Sequence, residues 1–146
     1  MGNALVPELY CSDIGRSLAF YTGVLGFAMR YARPEEGFAY LEREGAELML
    51  DALHPPDPTN RTWLAGPLEP PFGRGINLQI RVSDADALHA AAVAGGARIF
   101  LAMEERWYRA GTREVGNRQF ILLDPDGYLL RFFQDLGDRP SVRPGG

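Results

Sequence analysis

The chain has 146 residues, of which 46% are hydrophobic and 23% charged, and this near-average composition excludes disordered and fibrous proteins. Its net charge is −4, and no basic stripe interleaved with aromatic residues is present, so nucleic acid is not an expected partner. No segment has the apolar length of a membrane span and the first residues lack a leader pattern, which predicts a cytoplasmic protein without a membrane partner.

The first half predicts one helix between strands. Residues 9–11 are typical of a strand, and Ser12-Asp13 are favoured N-caps for a helix that ends near Gly23. Three strand-like runs follow, namely Phe27 to Tyr31, Gly37 to Glu42 and Ala46 to Asp51. Residues 1–53 therefore form a first βαβββ module.

Residues 54–75 contain more than half of the eleven prolines and are predicted to be a linker or a long loop at the mouth of a site. The helix pattern of the first half then returns about seventy residues later, with Ser83-Asp84 at its start. The strand-like runs after this second helix are Arg98 to Met103, Arg118 to Leu123 and Tyr128 to Gln134.

Asp124-Pro125-Asp126-Gly127 predicts a tight turn that joins the last two runs into a hairpin. The second βαβββ module thus covers residues 76–136, and residues 137–146 form a flexible tail rich in Pro, Gly and Arg.

Strand alternation divides the side chains of each sheet between two faces. One face is aliphatic enough to pack under the helices. The other mixes aromatic, acidic, amide and guanidinium groups; its members include Glu8, Phe38, Tyr40, Met49, Asp51, Asn77, Gln79 and Arg131. This mixed face is either the solvated side of an antiparallel sheet or the lining of a ligand site, and its large aromatic residues favour the second interpretation.

The ordered combination of the repeated modules, residues 12–21, Val24-Leu25-Gly26-Phe27 and residues 124–131 resembles the glyoxalase/bleomycin resistance protein/dioxygenase (vicinal oxygen chelate) superfamily. Pro7, residues 46–50 and the Leu-Leu-Arg ending are similar to its bleomycin-resistance branch. The resemblance implies an α+β fold in which two βαβββ modules form a curled mixed sheet around a cleft. It also implies a homodimer, because many members pair in this way.

Enzymes of this superfamily hold a divalent metal through His, Gln and Glu side chains on four strands. The resemblance assigns these positions to Val6, Met49, Asn77 and Arg131 in this chain. A guanidinium would repel the cation and the other side chains are poor ligands, so no metal and no cofactor are expected. His54, His89 and Cys11 have no second ligand or catalytic partner at a suitable spacing.

Residues outside the mixed strands also qualify as ligand contacts. Trp63, Trp107 and Tyr108 could stack on a planar group, although Trp63 could instead anchor its loop and the other two could pack at a dimer interface. Glu114 and Arg118, placed in the loop before the seventh strand, could lie at the rim or pair with each other. For Arg131, a salt bridge with Glu8 or Glu47 is as plausible as a ligand contact.

Three functions remain open at this stage. The first is a metal-free, non-catalytic protein that sequesters a cationic, partly aromatic small molecule, as the resemblance to antibiotic resistance proteins implies. The second is a metal-dependent lyase, isomerase or dioxygenase with an unusual site built from Glu8, Glu47 and Asp51. The third is a regulatory domain of this family whose ligand is unrelated to any antibiotic.

Overall fold

The computed structural model describes residues 2–55 and 62–142, and the chain divides into two compact units. Unit 1 comprises Met1–Ile76 with Asp124–Tyr128, and unit 2 comprises Asn77–Leu123 with Leu129–Gly146. Each unit has one four-stranded mixed sheet in the chain order βαβββ, which confirms the predicted α+β class and its paired modules. Neither helix in the described ranges has the length and apolar character that crossing a bilayer requires.

Unit 1 contains β1 (Glu8–Cys11), α1 (Ile14–Leu18), β2 (Ala28–Arg33), β3 (Phe38–Arg43) and β4 (Ala46–Ala52). The helix continues as a π-helical segment over Ala19–Val24, and a 3₁₀ turn, Pro34–Glu36, joins β2 to β3. The strand order is β1-β4-β3-β2, with β1 parallel to β4 and the other pairs antiparallel.

The aliphatic face of the first sheet forms the core of unit 1. Its members are all buried: Leu9, Cys11, Ala39, Leu41, Leu48 and Leu50. Each fully buried leucine contributes about 1.5–3 kcal/mol of transfer free energy, so this face fixes which side of the sheet the helix covers. The mixed face is left on the opposite side.

The turn at residues 124–127 does more than join two strands. The buried Asp124 carboxylate accepts the Tyr21 hydroxyl at 2.8 Å and the backbone N–H of Tyr128 at 2.9 Å. Asp126 accepts the Ser12 hydroxyl at 2.5 Å, while Asp13 caps α1 by accepting the Arg16 N–H at 3.0 Å. The helix start at Ser12-Asp13 and the turn at residues 124–127, more than one hundred residues apart in the chain, are therefore hydrogen-bonded to each other within unit 1.

Unit 2 contains β5 (Asn77–Arg81), α2 (Ala85–Ala94), β6 (Arg98–Ala110), β7 (Arg113–Leu123) and β8 (Leu129–Pro140). The order is β5-β8-β7-β6, with β5 parallel to β8. Because β7 and β8 are antiparallel and joined through residues 124–128, the predicted hairpin is confirmed. One face of this sheet, including Phe120, Leu122, Leu130 and Phe132, is buried on the side of α2.

The last three strands are longer than the hydrophobic pattern predicted. β6 continues to Ala110 and β7 begins at Arg113, because seven pairs between residues 104–110 and 113–119 link them across a stretch rich in charged residues. β8 continues to Pro140, so the assignment of residues 137–140 to a flexible tail was wrong. Residues 143–146 of that tail and residues 56–61 of the predicted loop lie outside the described residues.

Candidate functional site

The mixed side of the first sheet carries two carboxylates among aromatic residues. We call this surface the acidic face; its residues are Glu8, Tyr10, Phe38, Tyr40, Met49 and Asp51. Strand register sets their neighbours, since Met49 lies between Glu8 on β1 and Tyr40 on β3, and Asp51 lies between Tyr10 and Phe38. Sequence alternation had grouped Glu8, Phe38, Tyr40, Met49 and Asp51 on this face, which the strand register confirms.

Glu8 and Asp51 are half-buried acids that have lost part of their hydration. Burial raises the pKa of Glu8, the Asp51 charge raises it further, and Arg33 acts in the opposite direction. Burial likewise raises the pKa of Asp51, against the lowering effects of His54 and Arg33. Within residues 2–55 and 62–142, neither carboxylate takes part in an ion pair, because Arg33 pairs with Glu36 at 2.5 Å instead. The acidic face therefore holds negative charge that is incompletely neutralised.

Phe38 and Tyr40 do not offer open rings to a ligand, contrary to their predicted stacking role. They are only 6% and 9% exposed, and side chains of the neighbouring strand β2 lie over both rings. Tyr31 stacks on Tyr40 at 5.2 Å between ring centroids, and the Arg33 guanidinium lies 4.0 Å from the centre of the Phe38 ring. Tyr31, which is 49% exposed, is the aromatic surface that the sequence interpretation missed. Its adjacency to Tyr40 depends on a bulge between Met29 and Tyr31, which alternation alone does not predict.

The backbone of Trp63 contacts a residue of the acidic face. Its backbone N–H donates to the Tyr10 hydroxyl at 2.8 Å, so the main chain of the loop is bonded to the first sheet here. The side chain is nevertheless 66% exposed. An exposed indole thus lies near a tyrosine of the acidic face, where cation–π contact with a ligand is feasible.

The mixed side of the second sheet contains a cavity of about 320 Å³, which we call the second-sheet pocket. Its apolar lining residues are Phe100, Leu101, Ile121 and Leu129. Its polar lining residues are Asn77, Glu104, Arg106, Tyr108, Gln119 and Arg131. Three of these, Asn77, Tyr108 and Arg131, were predicted as ligand contacts; Gln79 is exposed and lies opposite Arg131 in register without lining the pocket.

Arg131 is held inside unit 2 by neutral groups. Its Nε donates to Gln119 Oε1 at 3.2 Å, and its guanidinium carbon lies 5.3 Å from the centre of the Tyr108 ring. Glu47, one of its predicted salt-bridge partners, accepts instead from Tyr40 and pairs with Arg30 at 3.1 Å. Gln119 lies inside the predicted run Arg118 to Leu123, but apolar residues occur on both faces of that run, so alternation did not assign Gln119 to the ligand side.

Arg118 is not on the ligand side of the sheet. Its guanidinium donates to the Asp86 carboxylate at 3.0 and 2.8 Å, which places it on the side covered by α2. Glu114 accepts instead from Arg139 at 2.9 Å, so the two residues do not pair with each other. Both lie on β7 rather than in a loop.

Trp107 and Tyr108 cannot line one surface, because successive residues of β6 point to opposite faces. The Trp107 ring is covered by the Arg139 guanidinium, 3.8 Å from its centre, and its other neighbour is Gly116, where an added Cβ would lie 2.7 Å from the ring. Trp107 lines a separate, more polar hollow with Arg106, Arg109 and Glu114. Its predicted stacking role is therefore unsupported at the second-sheet pocket.

The four positions that the family uses for metal do not fit a divalent cation. Val6 and Met49 in unit 1 offer an isopropyl group and a thioether, while Asn77 and Arg131 in unit 2 offer an amide and a fixed cation. Across the described ranges, no three His, Cys, Asp or Glu side chains are grouped as a metal site would require. Glu47, part of the alternative donor set, is engaged by Tyr40 and Arg30. We therefore derive no metal-dependent step.

Comparison with known families agrees with this architecture. The family model of the Glyoxalase/Bleomycin resistance protein/Dioxygenase superfamily matches residues 4–132. The chain belongs to this superfamily. Its narrower placement in the bleomycin-resistance branch stays a prediction.

Several solved structures are similar to this chain. TioX from Micromonospora sp. ML1 is 23% identical, with a TM-score of 0.69 over 92% of this chain and 100% of that one. A protein of unknown function from Agrobacterium tumefaciens str. C58 is 22% identical, with a TM-score of 0.68 over 93% and 97%. A superfamily member from Vibrio splendidus 12B01 is 39% identical over 90% and 97%, with a TM-score of 0.38. No curated protein matches the chain.

Proposed function

We propose that this protein is a non-catalytic binding protein that sequesters a cationic, partly aromatic small molecule on the acidic face. The observation that carries the proposal is the pair of half-buried carboxylates, Glu8 and Asp51, which have raised pKa values and no ion pair within the described residues. A ligand cation would supply the missing counter-charge. At about 4 Å and an effective dielectric constant of about 20, such an attraction is worth about 4 kcal/mol before the costs of desolvation.

The surroundings of the two acids suit a planar cation. Tyr31 and Trp63 keep exposed aromatic surface, and such rings attract cations by about 0.5–2 kcal/mol each. Bleomycin-type antibiotics, which the resembled branch of the superfamily sequesters, combine cationic and aromatic groups. They are therefore the first compounds to test.

The side chains at the family's metal-ligand positions support binding without catalysis. Arg131 occupies the eighth-strand position where enzymes of the family place a carboxylate, and its guanidinium is positioned by Gln119 and the Tyr108 ring. A fixed cation at this position opposes the metal on which the family's enzymes depend. Protection would then arise by mass action, through a complex that leaves the compound intact.

The decisive experiment is titration calorimetry of the purified protein with metal-free bleomycin at low ionic strength. We expect saturable binding, and at about 100 times Kd a stabilisation of about 2.7 kcal/mol, which raises Tm by about 5–10 °C. The double variant Glu8→Gln/Asp51→Asn should weaken binding at least about tenfold. Mass spectrometry should recover the compound unaltered after prolonged incubation.

Glu69→Gln is the control for non-specific charge attraction, because it removes an exposed carboxylate of unit 1 that lies outside the acidic face. Its Kd should equal that of the unmodified protein. The absence of both heat and thermal stabilisation would overturn the proposal, as would chemical conversion of the compound. An equal loss of affinity in Glu69→Gln would indicate general charge attraction rather than a site.

A further inference from the structure

The lining of the second-sheet pocket carries a net positive charge, whereas the acidic face is negatively charged. We infer that the pocket binds a small planar aromatic monocarboxylate, which Arg131 and the Tyr108 hydroxyl recognise. The inference is independent of the proposed function, because every residue that it uses belongs to unit 2.

The hydrogen-bond directions in the pocket are fixed by Arg131. A guanidinium can only donate, so the Gln119 atom 3.2 Å from Arg131 Nε must be the amide oxygen. The amide nitrogen of Gln119 then donates to the Tyr108 oxygen at 2.6 Å. Gln119 is 2% exposed, and its burial holds this orientation.

The Tyr108 hydroxyl consequently accepts from Gln119 and keeps its own hydrogen for donation. Within residues 2–55 and 62–142, no acceptor takes this hydrogen, and no acidic side chain forms an ion pair with Arg131. The free Nη groups of Arg131 and the Tyr108 hydroxyl are thus available donors at the wall of the same cavity. A carboxylate accepts from such a set with both of its oxygens.

The charges of the pocket favour one negative group. Arg106 and Arg131 contribute two positive charges and Glu104 one negative charge, so the lining has a net charge of +1. The negative charge of Glu104 repels anions, which argues against a dianion or a phosphate as the ligand. A single carboxylate balances the lining.

The walls of the pocket favour a flat apolar body behind that carboxylate. Leu101, Ile121 and Leu129 supply aliphatic surface, while the Tyr108 ring lies 5.3 Å from the Arg131 guanidinium carbon and 5.9 Å from that of Arg106. Guanidinium planes and aliphatic side chains both pack well on aromatic rings. A volume of about 320 Å³ is at the lower end of the usual range for small-molecule pockets, which limits the ligand to one or two fused rings.

The test compares 2-naphthoate with its neutral isostere 2-naphthamide by calorimetry on the full chain. We expect naphthoate to bind at least about tenfold more tightly than naphthamide, since a charge-assisted contact is lost in the amide. Arg131→Lys should reduce naphthoate affinity about tenfold or more, because an ammonium lacks the planar fork. Tyr108→Phe should reduce it about three- to tenfold, while naphthamide binding changes less.

Arg81→Gln is the control variant, because it removes an exposed arginine of the same sheet that does not line the pocket. Its naphthoate affinity should be unchanged. Equal binding of the acid and the amide would overturn the inference, and so would no binding at about 1 mM ligand. Equal losses in Arg81→Gln and Arg131→Lys would also overturn it. Since bleomycin binding is measured with variants of Glu8 and Asp51, failure of either proposal leaves the other standing.

Discussion

Removing the hydroxyl of Tyr21 tests whether the turn at residues 124–127 holds unit 1 together. The ring is buried against Phe20 and Phe27, in edge-to-face contacts at 5.8 and 5.6 Å, and its hydroxyl donates to the buried Asp124 carboxylate at 2.8 Å. Tyr21→Phe keeps the ring and its packing but removes that hydrogen bond. The experiment therefore isolates one polar contact in an otherwise unchanged core.

A hydrogen bond to a charged group contributes about 1.5–3 kcal/mol when its loss leaves a buried partner less well satisfied. We expect the free energy of unfolding to fall by that amount, which for a chain of this length lowers Tm by about 3–12 °C. Urea unfolding followed by circular dichroism measures the change, provided that the slope against urea concentration is unaltered.

Tyr31→Phe is the control, because it removes a tyrosine hydroxyl from a half-exposed side chain of the same unit. It should change the free energy of unfolding by less than about 0.5 kcal/mol. If Tyr21→Phe is no more destabilising than Tyr31→Phe, the contact between Tyr21 and Asp124 does not stabilise unit 1 and the reasoning is refuted.

Three further predictions concern charge and packing. Burial raises the pKa of Glu8 in the folded state, so its contribution to stability is present below its unfolded pKa and is lost as pH rises through the folded value. Glu8→Gln should therefore stabilise the protein at about pH 7 and have little effect at about pH 4. Urea titrations at both pH values measure this difference. Gly73→Ala should lower stability by about 1–3 kcal/mol, because its Cβ would lie 2.7 Å from backbone, whereas Gly66→Ala has open space and should be tolerated in the same thermal assay. Arg118→Gln breaks an exposed ion pair with α2, so it should lower the free energy of unfolding by less than about 1 kcal/mol. It should leave naphthoate affinity unchanged, and a loss of affinity would show that Arg118 lies on the ligand side of the sheet.

The sequence was most informative where local chemistry decides structure. Capping residues before each helix and the turn at residues 124–127 predicted the order and type of the elements, because these signals act within a few residues. The ends of strands were less predictable. β6, β7 and β8 extend through charged residues, because pairing with a neighbouring strand satisfies their backbone groups whatever the side chains are.

For the candidate sites, alternation alone placed Glu8 and Asp51 on one face of the first sheet, and Asn77 and Arg131 on one face of the second. It could not show that Tyr31 stacks on Tyr40, because this depends on a bulge in β2. Register and burial are set by contacts between residues far apart in the chain. Only the tertiary structure therefore showed which carboxylates have no ion pair within residues 2–55 and 62–142, and that Arg118 is bound to α2. It also showed that Gln119 bonds to both Arg131 and Tyr108 at the wall of one pocket.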